Sequence, residues 1–295
     1  MSEKILVVAF DGLDKKLIEK YNLENIRQQE FGKIDNSTGI SSIKTSELFA
    51  SFITGETYEE HGIKDLKTTS GRQKLIDNSI PDFLKKNVRG FTRLQKVLQT
   101  MLRVDEGMKY AKEHLQLDSV FEKIEDSRPM FIPGYNPSIF WVVNADLDPM
   151  RYGYSTEEAA KHYDNREYRH RKDRLFSELE NEIIGSREFL MCHFHTTDTY
   201  QHLYGDKDAV YDEKKLKRLY EETDEFAGEI KQKALEKGYD YVIFMSDHGL
   251  PTEKGHNENA FYSCNRDLFG DETPQITDFH NKILELTGNG EKKNG

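Results

Sequence analysis

The chain has 295 residues, of which 36% are hydrophobic and 32% are charged, and its formal net charge is −11. Its content of aliphatic and aromatic residues excludes a disordered chain, and no apolar run approaches the roughly 20 residues that a bilayer span requires. The acidic balance excludes a protein that coats nucleic acid or anionic membrane through a basic surface.

The first apolar stretch, residues 5–10, is predicted to be a buried strand. It is too short, and too quickly followed by Asp11, to be the core of a signal peptide, so we expect a cytoplasmic protein. Asp11 and Gly12 follow this strand directly. An acid at that position is either a turn or helix-cap residue, or a ligand at the end of the strand.

Residues 44–55 contain the next informative pattern. Residues 46–54 favour a helix and Gly55 is suited to end it, so Thr45 lies at the helix N-terminus, where backbone N–H groups favour negative charge. The Thr45 hydroxyl is therefore either a helix cap or, next to a metal ion, an activated nucleophile.

Residues 66–117 differ from the rest of the chain because they are basic, amphipathic and without a strong strand pattern. We expect a helical insertion there, acting either as a lid over the site or as a surface helix pair. Two weaker elements follow it. A strand is expected within residues 129–134, and a helix is expected to begin at Ser155, which has the spacing of a capping box with Glu158.

Another apolar stretch, residues 187–194, is predicted to be a strand. After it, Asp198 and His202 lie four residues apart, so one helical turn places both side chains on the same face. This spacing suits two ligands of one ion, and it also suits a simple hydrogen-bonded pair. His193 and His195 alternate along the strand, and we assign them packing roles or roles behind the ligands.

An amphipathic helix that ends at Gly238 is predicted to precede a strand over residues 239–245. Asp247 and His248 come just after that strand, and Gly249 allows the backbone to turn away sharply. Alone, this pair is either a hydrogen-bonded loop pair or two metal ligands. His256 lies in a polar loop further on, where the alternative is a solvated histidine.

The alternation of strands and helices predicts an α/β fold with a mostly parallel central sheet and helices on both faces. One domain over residues 1–287, with the helical insertion, fits the chain length, and the tail of residues 288–295 is expected to be disordered. Cys192 and Cys264 lie far apart, so neither a disulfide framework nor a thiolate zinc site is indicated.

These motifs, in this order, resemble the alkaline phosphatase superfamily, and most closely its type I phosphodiesterase and nucleotide pyrophosphatase branch. The resemblance runs from the first strand to about residue 263 and is specific only around the motifs. The motifs are Asp11-Gly12, Lys44-Thr45, Thr54-Gly55, His61-Gly62-Ile63, Asp198 with His202, Ser246-Asp247-His248-Gly249, and His256.

The resemblance implies a two-metal phosphoryl-transfer hydrolase that acts on a small-molecule phosphate ester, with Thr45 as nucleophile and a phosphothreonine intermediate. Carboxylate and imidazole ligands without thiolate suit Zn²⁺, which is our first expectation, and also Mn²⁺. By the same resemblance, one ion would be held by Asp198, His202 and His256, and the other by Asp11, Asp247 and His248, with Thr45 beside it.

The chain departs from that branch after the His-Gly-Ile segment. There the branch has an Asn that helps to bind a phosphoryl oxygen, whereas this chain has Lys64, Asp65, Leu66 and Lys67. Lys64 or Lys67 is expected either to replace the Asn or to be a solvated lysine.

Two related activities fit the sequence less well than phosphate-ester hydrolysis. A sulfatase would take its nucleophile from a Cys/Ser-x-Pro-x-Arg segment, which the sequence after Thr45 lacks, and a cofactor-independent phosphoglycerate mutase would use Ser and a larger inserted domain. Phosphomonoesterase and phosphonate hydrolase activities stay open because they share the metal site. The alternative from another class is a non-catalytic metal-binding or partner-binding scaffold.

Overall fold

A computed structural model of the chain describes residues 2–64, 110–136, 156–163, 168–181, 186–204, 212–253 and 255–290. Its strands are β1 (Ile5–Phe10), β2 (Glu30–Lys33), β3 (Ser127–Met130), β4 (Phe189–Phe194), β5 (Tyr241–Ser246), β6 (Pro251–Thr252), β7 (Gly255–His256) and β8 (Phe261–Cys264). Its α-helices are α1 (Lys15–Tyr21), α2 (Glu24–Arg27), α3 (Thr45–Thr54), α4 (Tyr58–His61), α5 (Val120–Lys123), α6 (Thr156–Tyr163), α7 (Arg169–Leu179), α8 (Thr196–Tyr204), α9 (Glu213–Glu236) and α10 (Asp278–Leu286), and a short 3₁₀ helix covers Lys112–His114.

Six of the strands form one sheet in the order β2-β8-β5-β1-β4-β3. β1 pairs in parallel with β4 and β5, and β3 pairs in parallel with β4, which confirms the predicted mostly parallel α/β fold. β8 pairs antiparallel with both β5 and β2. The sequence analysis did not predict β2 or β8, because each is only four residues long and pairs with residues far away in the chain.

Both faces of the sheet are buried, and β1 shows why its sequence is a continuous apolar run. Its odd-numbered residues pack in one apolar cluster with α3 and α10, and its even-numbered residues pack in a second cluster with α9. All six of its residues are therefore 2% exposed or less. Helices on both faces remove the alternation of polar and apolar residues that a half-exposed strand would show.

The helices predicted from sequence begin and end close to the expected residues. The helix expected over residues 46–54 is α3, and it ends at Gly55, whose φ of 76° is a conformation that favours glycine. An added Cβ at Gly55 would also lie 2.8 Å from the Nδ1 atom of His280. The long helix expected before Gly238 is α9, and Gly238 follows its end with a φ of 81°.

Three strand boundaries differ from the predicted ones. The strand expected within residues 129–134 lies earlier, as β3, because Phe131 and Gly134 have φ values of 63° and 77° and leave the extended conformation. β4 begins at Phe189 rather than at residue 187. β5 covers residues 241–246 rather than 239–245, because the Tyr239 N–H still bonds to the Ala234 carbonyl at the end of α9.

Some expectations concern residues outside those described. Residues 66–109 of the expected insertion and Ser155 lie there, and the helix expected at Ser155 is described from Thr156 onward as α6. Of the tail that was expected to be disordered, residues 291–295 lie outside the described residues, and the Asn289 N–H donates to the Leu284 carbonyl at 2.8 Å. Within the described part of the chain, no helix has the length and apolar character to cross a bilayer.

His61, from the His-Gly-Ile motif, is a fully buried group that stabilises the position of α3. Its Nδ1 accepts a hydrogen bond from the Ile63 N–H at 3.2 Å, so its proton lies on Nε2, which is 3.0 Å from the Ser51 hydroxyl on α3. Burial lowers the pKa of His61 to about 4. His61 thus connects the end of α4 to the helix that carries Thr45.

We predict that His61 makes the stability of the fold depend on pH below its ordinary pKa of about 6.5. In the unfolded chain His61 takes up a proton near that pH, whereas in the folded chain it resists protonation down to about 4, so stability is lost as the pH falls through this range. The stability advantage of the wild type over His61→Gln should shrink by on the order of 3 kcal/mol between about pH 8 and about pH 4. Urea unfolding in EDTA measures it, and an advantage that stays constant over this range would contradict the prediction.

Candidate metal centre

The carboxyl ends of three adjacent parallel strands bring the predicted site residues together. Asp11 follows β1, Asp247 and His248 follow β5, and Asp198 lies in the first turn of α8, just after β4. Because β1 lies between β4 and β5 in the sheet, these segments meet at one edge although they are distant in sequence.

Asp11, Asp247 and His248 form a fully buried cluster, which we call the inner group. The His248 Nε2 atom lies 3.0 Å from Asp11 Oδ1 and 3.6 Å from Asp247 Oδ2. The hydroxyl of Thr45, at the start of α3, lies 3.3 Å from the same nitrogen. The structure therefore places the predicted nucleophile in contact with the inner group.

Asp198, His202 and His256 form a second cluster, the outer group. Asp198 Oδ1 lies 3.4 Å from His202 Nε2 and 3.3 Å from His256 Nε2, and the two imidazole nitrogens are 3.1 Å apart. The Asp198 side chain is 6% exposed, whereas those of His202 and His256 are 53% and 17% exposed. The outer group therefore opens toward solvent, unlike the inner group.

The two groups are parts of one centre, and His195 lies between them. Its Nε2 atom is 3.4 Å from Asp11 Oδ2 and 3.1 Å from Asp198 Oδ2. The rings of His248 and His256 also stack, with centroids 3.8 Å apart. Of the two roles expected for His195, this position fits the one behind the ligands rather than packing, and Asp11, His195 and Asp198 are themselves close enough to hold a cation.

The inner group has an arrangement of atoms that a cation satisfies. The His248 Nδ1 atom lies 2.9 Å from the Gly249 carbonyl and donates to it, which leaves Nε2 as the atom that faces the carboxylates. An imidazole lone pair beside a carboxylate oxygen is repulsive unless a proton or a metal ion lies between them. Although burial opposes the charged form, the charges of Asp247 and Asp11 raise the pKa of His248 well above its ordinary value.

Asp247 is a buried carboxylate whose charge is poorly compensated by its neighbours. Among the described residues, neither of its buried carboxylate oxygens has a hydrogen-bond partner. Burial, followed by the charge of Asp11, raises the pKa of Asp247 well above its ordinary value. The pKa of Asp11 is lowered despite its own burial, because His195, His193 and His248 surround it. A divalent cation would offset the unfavourable free energy of burying the ionised Asp247 carboxylate, so the residues present fit a metal ion.

The outer group fits a metal ion by its spacing. Its three candidate ligand atoms are separated by 3.1, 3.3 and 3.4 Å. Ligands bound at about 2 Å in a tetrahedral zinc site lie about 3.3 Å from one another. The donor set consists of carboxylate and imidazole, since Cys192 and Cys264 are buried as free thiols in the apolar core.

Gly12 allows the end of β1 to approach α8 closely. Its φ is 76°, and an added Cβ would lie 2.9 Å from Asp198 Cβ. The Asp198 N–H donates to the Asp11 carbonyl at 3.1 Å, and the Gln201 side chain donates to the Gly12 carbonyl at 3.0 Å. These contacts fix the two candidate ligands Asp11 and Asp198 relative to each other.

Asp14 holds the segment that directly follows β7, the short strand that contains His256. One of its carboxylate oxygens accepts hydrogen bonds from the side-chain amides of Asn257 at 2.7 Å and Asn259 at 2.8 Å. Its other oxygen accepts from the Lys16 N–H at the start of α1. The acid that begins α1 therefore also holds the loop at the mouth of the site.

Asp14 and Asn36 were not predicted from the sequence as parts of the site. The Asn36 side chain donates to the Asp247 carbonyl at 2.6 Å and is buried beside it. Asn36 lies in an irregular segment with no motif around it, so no pattern in the sequence marks it. His195 had a signal, because it is a polar residue at the end of an apolar strand.

The two lysines that follow the His-Gly-Ile segment have different outcomes. Lys64 is exposed, and its ammonium lies 5.1 Å from the ring centroid of Tyr58. This position favours a surface lysine over a substitute for the Asn of the resembled branch. Lys67 lies outside the described residues.

Comparison with known proteins gives a family and a group of solved structures. Residues 5–272 match the family model described as type I phosphodiesterase/nucleotide pyrophosphatase. Murine ectonucleotide pyrophosphatase/phosphodiesterase 5 is similar, with a TM-score of 0.49 and 15% identity; its inactive threonine-to-alanine variant in complex with AMP has a TM-score of 0.48 and 14% identity. In both cases 84% of this chain and 57% of the other chain are covered, so this chain spans little more than half of those proteins. No curated protein matches the sequence.

We predict that Asp247→Asn makes the protein less stable than the wild type only when metal is bound. In EDTA the variant should melt at the same temperature as the wild type or higher, because it removes a buried carboxylate beside Asp11. With saturating Zn²⁺ or Mn²⁺ the wild type should gain more, by about 2.7 kcal/mol at an ion concentration one hundred times Kd.

Thermal melts in EDTA and in each ion test this, with Asp271→Asn as the control because its carboxylate is exposed. The control should respond to metal as the wild type does. A loss of stability in EDTA for Asp247→Asn, or an undiminished gain from metal, would contradict the interpretation of the inner group.

Proposed function

Because this chain belongs to the type I phosphodiesterase/nucleotide pyrophosphatase family, we propose that it hydrolyses phosphodiesters, including nucleotide pyrophosphates, at the metal centre described above. The observation that carries the proposal is the contact between Thr45 and the inner group. A threonine hydroxyl lies 3.3 Å from His248 Nε2, beside two buried carboxylates, at the N-terminus of a helix. This is an arrangement suited to a nucleophile that attacks an anionic substrate.

The inner group and the outer group would each hold one divalent ion. Asp11, Asp247 and His248 would hold the first, next to Thr45, and Asp198, His202 and His256 would hold the second. When bound, such ions stabilise charge on phosphoryl oxygens and lower the pKa of a coordinated hydroxyl. We propose Zn²⁺ first, with Mn²⁺ as the alternative, because all the donors are carboxylate oxygens, imidazole nitrogens or the Thr45 hydroxyl.

Thr45 would act by covalent catalysis. Its Oγ1 atom attacks phosphorus and the bond from phosphorus to one ester oxygen breaks, while the hydroxyl proton passes through solvent to the departing oxygen. The first alcohol or nucleotide is released, and Thr45 holds a phosphoryl group that still carries the second ester. Water then hydrolyses the phosphothreonine and restores the hydroxyl. Thr45 is the first residue of α3, whose first-turn N–H groups lack carbonyl partners within the helix and favour an anion.

The charge of the site explains how an acidic chain could bind an anionic substrate. The chain carries a formal charge of −11, so its surface does not attract phosphate in general. Two divalent ions would place four positive charges on a centre with three carboxylates, those of Asp11, Asp198 and Asp247. The outer group is partly exposed, so we propose that the substrate enters from that side.

We predict that Thr45→Ala lowers hydrolysis of bis-(p-nitrophenyl) phosphate by on the order of a thousandfold in the presence of Zn²⁺ or Mn²⁺. Ser46→Ala is the matched control, since it removes the neighbouring hydroxyl from the same helix turn and should keep most of the activity. Acid quenching followed by mass spectrometry should detect a p-nitrophenyl phosphoryl group on Thr45 in the wild type. An active Thr45→Ala variant would overturn the assigned nucleophile.

The same assay ranks the alternative activities. Faster turnover of p-nitrophenyl phosphate than of the diester would favour a phosphomonoesterase, and turnover of an aryl phosphonate alone would favour a phosphonate hydrolase. No turnover of any of the three by metal-loaded wild type, with Thr45→Ala indistinguishable from it, would overturn the enzyme proposal and favour a non-catalytic scaffold.

We predict that Asp247→Asn and His256→Ala each reduce bound metal from two ions toward one ion per chain. The two residues belong to different groups, so each variant should lose one ion and keep the other. Elemental analysis after dialysis against buffered metal measures the stoichiometry. Two ions retained in both variants would show that the ligands are assigned wrongly.

A further inference from the structure

Two buried residues behind the metal centre, His193 and Arg171, form a chain of contacts that ends at Asp11. His193 lies on β4 and is 1% exposed, and Arg171 lies on α7 and is 3% exposed. His193 Nε2 is 3.2 Å from Asp11 Oδ2. The ligand assignments above use neither His193 nor Arg171, although both are charged or polar groups buried in the interior.

The contacts of Arg171 determine where the proton of His193 lies. An Nη1 atom of Arg171 is 3.1 Å from His193 Nδ1 and 2.7 Å from the His193 carbonyl oxygen. A guanidinium group only donates hydrogen bonds and does not lose its proton in proteins, so His193 Nδ1 must accept. The single proton of the neutral ring therefore lies on Nε2, which donates it to Asp11 Oδ2.

Packing holds both side chains in this arrangement. The edge of the His193 ring contacts Phe49 of α3, with centroids 4.9 Å apart and planes at 84°. The Arg171 guanidinium lies over the ring of Phe131, 4.9 Å from its centroid. Phe131 adopts a φ of 63°, unusual for a residue other than glycine. The turn after β3 thus presents a ring to Arg171.

The chain of contacts leaves the two oxygens of Asp11 with different surroundings. Oδ2 receives the His193 N–H, and Oδ1 lies 3.0 Å from His248 Nε2, on the inner-group side. Rotation of the carboxylate would break the bond to His193. An acceptor held in this way presents a fixed oxygen to a cation, and such supporting hydrogen bonds tune metal affinity.

We propose that Arg171 and His193 are positioning residues that orient Asp11 for metal binding at the inner group. Arg171 sets the protonated nitrogen of His193, and His193 holds Asp11 Oδ2 so that Oδ1 is directed toward the ion. This inference rests on the proposed function, because it takes Asp11 to be a ligand. It adds that a residue of α7, a helix that contributes no ligand, determines the orientation of the Asp11 carboxylate.

Two substitutions of His193 separate its two hydrogen bonds. His193→Gln keeps an N–H donor near the place of Nε2 and should bind metal almost as the wild type does. His193→Asn keeps an acceptor near Nδ1 but loses the donor to Asp11, so affinity for the inner ion should fall by roughly 10- to 100-fold. Arg171→Met should weaken binding as well, since it releases the ring of His193.

The experiment measures Mn²⁺ and Zn²⁺ affinity and stoichiometry by chelator competition, together with the electron paramagnetic resonance spectrum of bound Mn²⁺. Arg187→Met is the control, because Arg187 is an ion-paired arginine near the opposite end of β4, with Asp126 and Glu178 as partners. It should keep the metal affinity and spectrum of the wild type. Circular dichroism of each metal-free variant reports whether it is folded.

Three outcomes distinguish this inference from the proposed function. Weaker binding of one ion in His193→Asn and Arg171→Met, with recovery in His193→Gln, supports the positioning role. Wild-type affinity and spectrum in folded His193→Asn or folded Arg171→Met overturn it while leaving the metal centre in place. A wild type that binds neither ion overturns the proposed function and, with it, the premise about Asp11. If His193→Asn does not fold, Arg171→Met decides.

Discussion

The arrangement of this protein depends on two carboxylates, those of Asp11 and Asp247, that are held away from water at one edge of the sheet. Burying a carboxylate without compensation is strongly unfavourable, so each structural feature around them has to supply positive charge or hydrogen bonds. Asp11 has three histidines around it, whereas the charge of one histidine, His248, favours the ionised form of Asp247. The imbalance at Asp247 is what a metal ion would correct, and rigid parallel strands prevent the two acids from moving apart.

The inner and outer groups of the metal centre differ in burial, because different secondary-structure elements carry them. The inner group lies at the ends of β1 and β5 and is closed to solvent, whereas two residues of the outer group lie on α8 and the third lies on β7, next to the segment that Asp14 holds. The proposed roles differ in the same way: the nucleophile lies beside the buried inner group, and the substrate enters beside the partly exposed outer group. The chain from Arg171 through His193 extends the support of the inner side across the sheet to α7.

Much of the fold and of the candidate site could be predicted from local patterns in the sequence. The apolar runs of β1, β4 and β5 predict buried parallel strands, because a strand covered on both faces needs apolar residues at every position. The spacing of Asp198 and His202 predicts that they share a face of α8, and the start of α3 predicts the position of Thr45 at a helix N-terminus. β2 and β8 were not predicted because four-residue strands have no distinctive period.

The sequence by itself determined the α/β class, the acids and histidines at the strand ends, and the resemblance that links them to phosphoryl transfer. Composition and short-range periodicity indicate burial and local conformation. Both properties depend on residues that lie within a few positions of each other in the sequence. Only the tertiary structure decided that His195 lies between the two groups, that Asn36 and Asp14 hold the backbone around the site, and that Arg171 reaches Asp11 through His193. Apart from the contact of His195 with Asp198, those contacts join residues between 22 and 245 positions apart. They depend on the order of strands in the sheet and on helix packing, which no local pattern records.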